Sequence, residues 1–305
     1  MNQQPYYTLN QYYHQIFGEK VYKISLNGGM TCPNRDGTCG HRGCIFCSEG
    51  GSGDFASSPH LSIAKQIEEG KKRLQKKHTG TKFIAYFQAF TNTYAPVSYL
   101  RKIFFEAIAP DDIAGISIAT RPDCLSDDIL LLLQELQQIK PVFIELGLQT
   151  IYEKTANFIR RGYPLSVFEQ AVTMLSSYHI PVVVHLILGL PNETNEMIID
   201  EIKYLNTLPI HGIKLQLLHI LKNTDLATYY EKNPFPTYTL EEYTNLIIQC
   251  INHLRSDIVV HRITGDAPKS LLIAPLWSGN KKLVLNTISK EMKLQNCYQG
   301  KSLTK

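Results

Sequence analysis

The chain has 305 residues, 44% hydrophobic and 19% charged, which is room for one large α/β domain or two ordinary ones and enough core to make disulfide staples unnecessary. Its seven cysteines are odd in number, four bunched between residues 32 and 47 and three single (Cys124, Cys250, Cys297), a usage that speaks for a reducing compartment and a metal site and against an oxidised framework. The formal charge of +4 is unevenly spread: seven Lys or Arg stand against Glu68 and Glu69 between Lys65 and Lys82, and nine against three acids from Arg255 to Lys305. Two basic regions on an otherwise acidic body suit a polyanionic partner, or else are solvated helix faces.

The chain starts "MNQQPYYTLNQYYHQIFGEK", without the basic start and apolar run of a signal peptide. A strand is predicted over 21–27, followed by the cysteine loop "TCPNRDGTCGHRGCIFC" (31–47). Further strands are predicted over 82–88, 113–119, 141–149, 181–189 and 212–220, six in all, with amphipathic helices between them such as "SIAKQIEEGKKRLQKK", "SDDILLLLQELQQI" and "NETNEMIIDEIKYLNTL". The longest apolar stretch, "IPVVVHLILGLP", is too short to span a bilayer and reads as a buried strand. A soluble, cytoplasmic protein is expected. Each strand ends in polar or glycine residues ("NGG", "QAFTN", "ATRPD", "QT", "GLPNE", "HILKN"), where an α/β barrel keeps its active site. An open doubly wound sheet fits the same alternation. Near "EKNPFPTYTLEEYTN" (231–245) the composition changes, and Thr239 opens a new helix. Residues 1–235 are read as a core barrel with an N-terminal segment, and 236–305 as a basic C-terminal α/β extension packed on it.

Cys32, Cys39, Cys44 and Cys47 are separated by six, four and two residues, and the final Cys-x-x-Cys turn directs two thiolates at one centre. Spacing alone leaves three options open: a closed zinc site using all four, an iron–sulfur cluster using three with one iron exposed, or a thiol redox pair. The cluster's place after the first strand, ahead of five more βα units, resembles the radical S-adenosylmethionine superfamily. That superfamily has a partial (βα)6 barrel carrying a three-cysteine [4Fe–4S] cluster in this loop. The interval from Cys32 to Cys44 departs from the superfamily's commonest Cys-x3-Cys-x2-Cys. It is similar instead to the branch that resembles the catalytic subunit of Elongator, and to a bacterial group within it. "IATRPD" (118–123), "IELGLQT" (144–150), "RRGY" (160–163), "HLILGLPNET" (185–194) and "HRITGDAP" (261–268) resemble that branch in the same order.

The resemblance implies that Cys32, Cys44 and Cys47 ligate the cluster, Cys39 does not, and the open iron takes S-adenosylmethionine. It puts Phe46 near the adenine, and Gln88, Thr91 and Asn92 where the superfamily binds the methionine amino group, although its usual Glu is absent here. Glu145 and Gln149, four apart on one strand, should face the same side; a donor of the cofactor, or else Arg121 or Arg161, would partner the carboxylate. Arg121 and Arg161 suit the cofactor carboxylate, His185 and His219 suit ribose, adenine or core packing, and Arg262 and Asp266 suit substrate contact or a salt bridge. The implied activity is radical chemistry on tRNA: conversion of 5-carboxymethylaminomethyl-(2-thio)uridine at wobble position 34 to 5-aminomethyl-(2-thio)uridine. A low-potential donor such as flavodoxin or ferredoxin, and a downstream tRNA methyltransferase, would be partners. A radical enzyme for a small molecule or peptide, and a non-catalytic zinc-stabilised RNA-binding protein, are the alternatives.

Overall fold

The computed structural model describes residues 4–51, 53–75 and 80–303. Lys76 and Lys77 of the first basic segment, and Lys305 of the second, lie outside them. Six strands fall within two residues of their predicted starts: β1 (Tyr22–Leu26), β2 (Phe83–Phe87), β3 (Ile113–Thr120), β4 (Val142–Gln149), β5 (Val182–Leu188) and β6 (Gly212–Leu217). The sixth ends three residues early. There Leu218 N–H turns back to Leu188 O at 2.9 Å, and Ile220–Leu221 (β7) leave the sheet to form a small ribbon. Its partner strand comes after β8 (Val259–Arg262), at Leu272–Ala274 (β9). The helices are α1 (Leu9–Phe17), α2 (Ile63–Leu74), α3 (Val97–Ile108), α4 (Asp127–Gln137), α5 (Glu153–Phe158), α6 (Leu165–Ser177), α7 (Asn195–Leu205), α8 (Asp225–Lys232), α9 (Leu240–His253) and α10 (Lys281–Leu294).

The main sheet is wholly parallel, in the order β1-β2-β3-β4-β5-β6-β8. A doubly wound sheet needs a reversal in this order to put helices on both faces. None occurs here, so successive crossovers step in one direction, as in a curled barrel wall. Side-chain alternation then sorts each strand. On β2, Phe83, Ala85 and Phe87 join the core shared with Ile63, Ile67, Leu100 and Phe104 of the helices. Between them, Ile84 packs with Tyr13 and Phe143 in a separate cluster, and Tyr86 reaches Glu145 on β4. The inner face therefore has an apolar plug made with α1 and, above it, a polar layer. Capping fixes several helix starts: Thr8 with Gln11 and Thr239 with Glu242 form reciprocal capping boxes, and the Ser62 hydroxyl accepts from Lys65 N–H. The C-terminal residues are built into the wall, since β8 pairs with β6 and α9 packs between α7 and α10.

Candidate active site

The loop between β1 and α2 carries all four clustered cysteines. Cys32, Cys44 and Cys47 line one cavity of about 250 Å³ at the C-terminal ends of the strands. Cys39 is exposed and lines a different one, beside Pro33, Tyr94 and Cys124. Turns aim the three: Cys47 N–H donates to Cys44 O at 3.0 Å, and Arg35 N–H to Cys32 O at 2.8 Å. The Asn34 amide pins the loop to the segment after α5. Its Nδ2 donates to the carbonyls of Arg160 (2.7 Å) and Arg161 (3.1 Å) and lies 3.4 Å from Cys44 Sγ. Gly162 belongs to this clip. Its φ is +84°, and a Cβ there would sit 2.5 Å from Asn34 Oδ1.

These thiols fit an iron–sulfur cubane by their chemistry and position. Burial pushes the Cys44 thiol up to about 12, so a cationic metal is what would hold it as thiolate. Among the described residues no three His, Cys, Asp or Glu side chains are gathered around one point as a single ion requires. A cubane gives each iron its own thiolate, so its ligands stand apart around the cluster.

Beneath the cysteines lies a charged layer inside the barrel. Glu145 is 1% exposed and accepts from five donors: Lys23 Nζ (2.5 Å) and Ser117 Oγ (2.8 Å) at Oε1, and Tyr86 Oη (2.9 Å), His185 Nε2 (2.8 Å) and Lys214 Nζ at Oε2. Burial alone would raise its pKa; Lys214 and Lys23 hold it well below the usual carboxylate range. Burial pulls Lys214 down to about 7 against the attraction of Glu145, with Lys23 and Arg262 adding to the fall. Burial and then Lys214 bring His185 to about 4, so its ring is neutral and donates. Neither the cofactor nor Arg121 or Arg161 is needed to partner Glu145, as the sequence suggested; Lys23 and Lys214, which sequence reasoning missed, do so.

Gln149 also lines the cavity, but not by simple alternation: a bulge separates it from Gly147, and its φ is +64°. Arg161 is 1% exposed, and its guanidinium is taken up by the carbonyls of Tyr163, Leu148 and Thr150 and by Glu153. That side chain ties the strand-four loop together, and the bidentate grip on a cofactor carboxylate expected of it is not available. Arg121 lines the cavity with one edge held by Asp123 at 2.9 and 2.6 Å and Nη1 on Arg161 O. Phe46, Gln88, Thr91, His185 and His219 are in the cavity wall. Buried His219 Nε2 has no hydrogen-bond partner there, and burial holds the ring down at about 4. Asn92 is not in the wall; its Nδ2 donates to Phe87 O and Ala119 O, joining the ends of β2 and β3. Arg262 and Asp266 line the cavity and pair at 3.0 Å, with Lys281 on the same carboxylate at 2.6 Å.

Comparison with known proteins agrees with this architecture. The family model described as "Radical SAM superfamily" matches residues 37–205, and "Radical_SAM C-terminal domain" matches 210–294. The Bacillus subtilis (strain 168) protein YtqA is 45% identical over 97% of this chain and 92% of its own length. A protein named tRNA uridine(34) acetyltransferase, from Methanocaldococcus infernus, is 24% identical over 54% of this chain, which spans 31% of that relative. The solved structure of the archaeal Methanocaldococcus infernus Elp3 with an N-terminal deletion superposes with a TM-score of 0.68 at 18% identity, covering 92% of this chain and 64% of that one, and so shares the fold.

Proposed function

The chain belongs to the radical SAM superfamily, and from that premise we propose that it modifies tRNA, converting 5-carboxymethylaminomethyl-(2-thio)uridine at wobble position 34 to the 5-aminomethyl nucleoside. The observation that carries this reading is the cavity walled by Cys32, Cys44 and Cys47, and not Cys39, above a charged barrel interior. The superfamily's cofactors are a [4Fe–4S] cluster and S-adenosylmethionine. The three cysteines would hold the cluster, and Phe46, Gln88, Thr91, Gln149 and His219 would surround the cofactor. Together the two groups supply, when bound, a 5′-deoxyadenosyl radical that removes hydrogen from the carboxymethyl carbon. Loss of that hydrogen atom, then of one electron to a one-electron acceptor and of one proton, leaves an imine that water splits into the aminomethyl group and glyoxylate.

The protein's own part is to orient and to exclude water. Ile45, Phe46, Ile159 and Ile187 pack as an apolar collar beside the cysteines, and the Glu145 layer closes the floor. The relative named for uridine 34 of tRNA supports the substrate class, as does the charge outside. Arg42 and Arg160 share the single carboxylate of Asp225, and Lys282, Lys290 and Lys293 stand exposed on α10. Phosphate contacts from such residues would make tRNA binding fall steeply with salt. Among the described residues no helix is long and apolar enough to cross a membrane; we place the enzyme in the cytoplasm, beside its tRNA and a low-potential reductant. The test is the modified-nucleoside profile of tRNA from a deletion strain by mass spectrometry. Accumulation of the carboxymethylaminomethyl nucleoside is expected, and an unchanged profile overturns the proposal.

A further inference from the structure

One row of the sheet holds more cations than anions. Parallel pairing sets Gly147 beside His185, His185 beside Lys214, and Lys214 beside Arg262, across β4, β5, β6 and β8. The last three of these side chains line the same cavity as the cysteines. Lys214 Nζ donates to Glu145 Oε2 and, at 3.1 Å, to Tyr86 Oη. No third acceptor is given by the described residues: the ammonium lies over the Tyr86 ring, 4.8 Å from its centroid, and faces the cavity. Glu145 cannot neutralise Lys214 alone, because the same carboxylate also faces Lys23 at 2.5 Å. Arg262 is no better balanced: its acid partner, Asp266, is shared with Lys281. Two carboxylates therefore face four basic side chains.

An unbalanced charge on a largely buried wall is costly until a ligand or water completes it. The missing charge here is negative, and the two donors that adjoin on β6 and β8 are a planar guanidinium fork and an ammonium that faces the cavity. That pair suits a carboxylate, one oxygen toward each. Of the other arginines of the wall, Arg121 faces Asp123 and Arg161 faces Glu153, whereas Arg35 donates to the carbonyls of Cys47 and Ser48 in the cysteine loop, where Asp54 is the wall's other carboxylate.

We propose that Lys214 and Arg262 form a carboxylate clamp that reads the acid group of the substrate. The inference rests on the reading that the substrate carries a carboxymethylamino group. The clamp also sets direction: the product has lost its carboxylate and carries an ammonium, which the same two cations repel, so substrate is held and product leaves. Lys214 then has three partners, Glu145 and Tyr86 that position it and the substrate that it selects.

The test is calorimetric titration of the full-length protein with 5-carboxymethylaminomethyluridine, with its methyl ester, and with N-methylglycine and its methyl ester. Wild type, Lys214→Gln, Lys214→Arg and Arg262→Gln are compared. A charge-assisted contact predicts that wild type binds each acid about tenfold or more tighter than its ester. Lys214→Gln and Arg262→Gln should erase that preference, and Lys214→Arg should keep part of it. Acid and ester binding alike, or failing to bind, in the wild type overturns the clamp, as does a preference that survives in both glutamine variants. If Lys214→Gln does not fold, Arg262→Gln, at the more open end of the row, decides. Weakened S-adenosylmethionine binding with the acid preference intact would assign the row to the cofactor and also sink the proposal. An acid preference lost in Lys214→Gln, together with an unchanged tRNA profile in the deletion strain, upholds the clamp and defeats the tRNA reading. Altered tRNA without an acid preference does the reverse.

Discussion

Glu145→Gln is the substitution with the largest consequence that the geometry foretells. The carboxylate accepts five hydrogen bonds and lies against two lysines. Glutamine keeps one acceptor oxygen and turns the other into an NH2 group. If the oxygen stays toward Lys23 and Ser117, the new donor meets three donors: Tyr86 Oη, His185 Nε2 and Lys214 Nζ. The change also takes the counter-charge from both Lys23 and Lys214. Removing one partner of a buried ion pair costs about 3–5 kcal/mol. With an unfolding entropy of about 2.1 cal/mol/K per residue over 305 residues, that corresponds to a fall in Tm of roughly 5–8 °C. The assay is thermal and urea unfolding at pH 7 of wild type, Glu145→Gln, Lys214→Met and the double variant. Replacing both charges removes the mismatch, so the double variant should recover part of the loss, with a coupling above about 1 kcal/mol. A Tm for Glu145→Gln within about 1 °C of wild type, or strictly additive losses, would refute the claim that this layer is a mutually dependent charge network.

Three further outcomes are expected. Cys39→Ser should retain iron, sulfide and the absorption near 400 nm, roughly where thiolate-ligated clusters absorb, after anaerobic reconstitution, whereas Cys32→Ser, Cys44→Ser and Cys47→Ser should each lose them; iron analysis decides. Gly162→Ala forces a side chain into positive φ and against Asn34 Oδ1, so it should cost about 1–2 kcal/mol in urea unfolding and lower cluster retention, because Asn34 clips the loop that carries Cys44. Lys214 titrates at about 7 when folded, below its ordinary 10.5, so between those values the unfolded chain binds more protons. Stability relative to Lys214→Met should therefore rise with pH across that window, by up to about 1.4 kcal/mol per unit, and be flat below it; a constant difference from pH 7 to 10 contradicts the assignment.

Much of this architecture is legible in the chain. Apolar strands ending in polar residues, spaced by amphipathic helices, give the wall and put its working end at the strand C-termini. Strand order, which separates a curled wall from a doubly wound sheet, depends on long-range pairing that periodicity does not encode. Lys23 and Lys214 did leave a signal. Lys214 sits between Ile213 and Leu215 in "GIKLQL" and Lys23 between Tyr22 and Ile24 in "YKISL", so alternation sends a lysine to the inside of a barrel, where it must find an acid. Reading those strands only as apolar runs hid the pair and left Glu145 looking for a partner among the arginines. Arg161 misled for the opposite reason. Its motif lies near the site, but its fork closes on main-chain carbonyls of a loop whose path is fixed only in three dimensions. Gln149 reaches the cavity through a bulge and a positive φ, which its spacing from Glu145 does not disclose.

The proposed reaction uses S-adenosylmethionine to strip the carboxymethyl group from a wobble uridine. The most direct measurement incubates the anaerobically reconstituted protein with S-adenosylmethionine, a reductant and tRNA from the deletion strain, following 5′-deoxyadenosine and modified nucleosides by mass spectrometry. 5′-Deoxyadenosine should form in step with loss of the carboxymethylaminomethyl nucleoside and gain of the aminomethyl one. Cofactor cleavage with the tRNA nucleosides unchanged would contradict it.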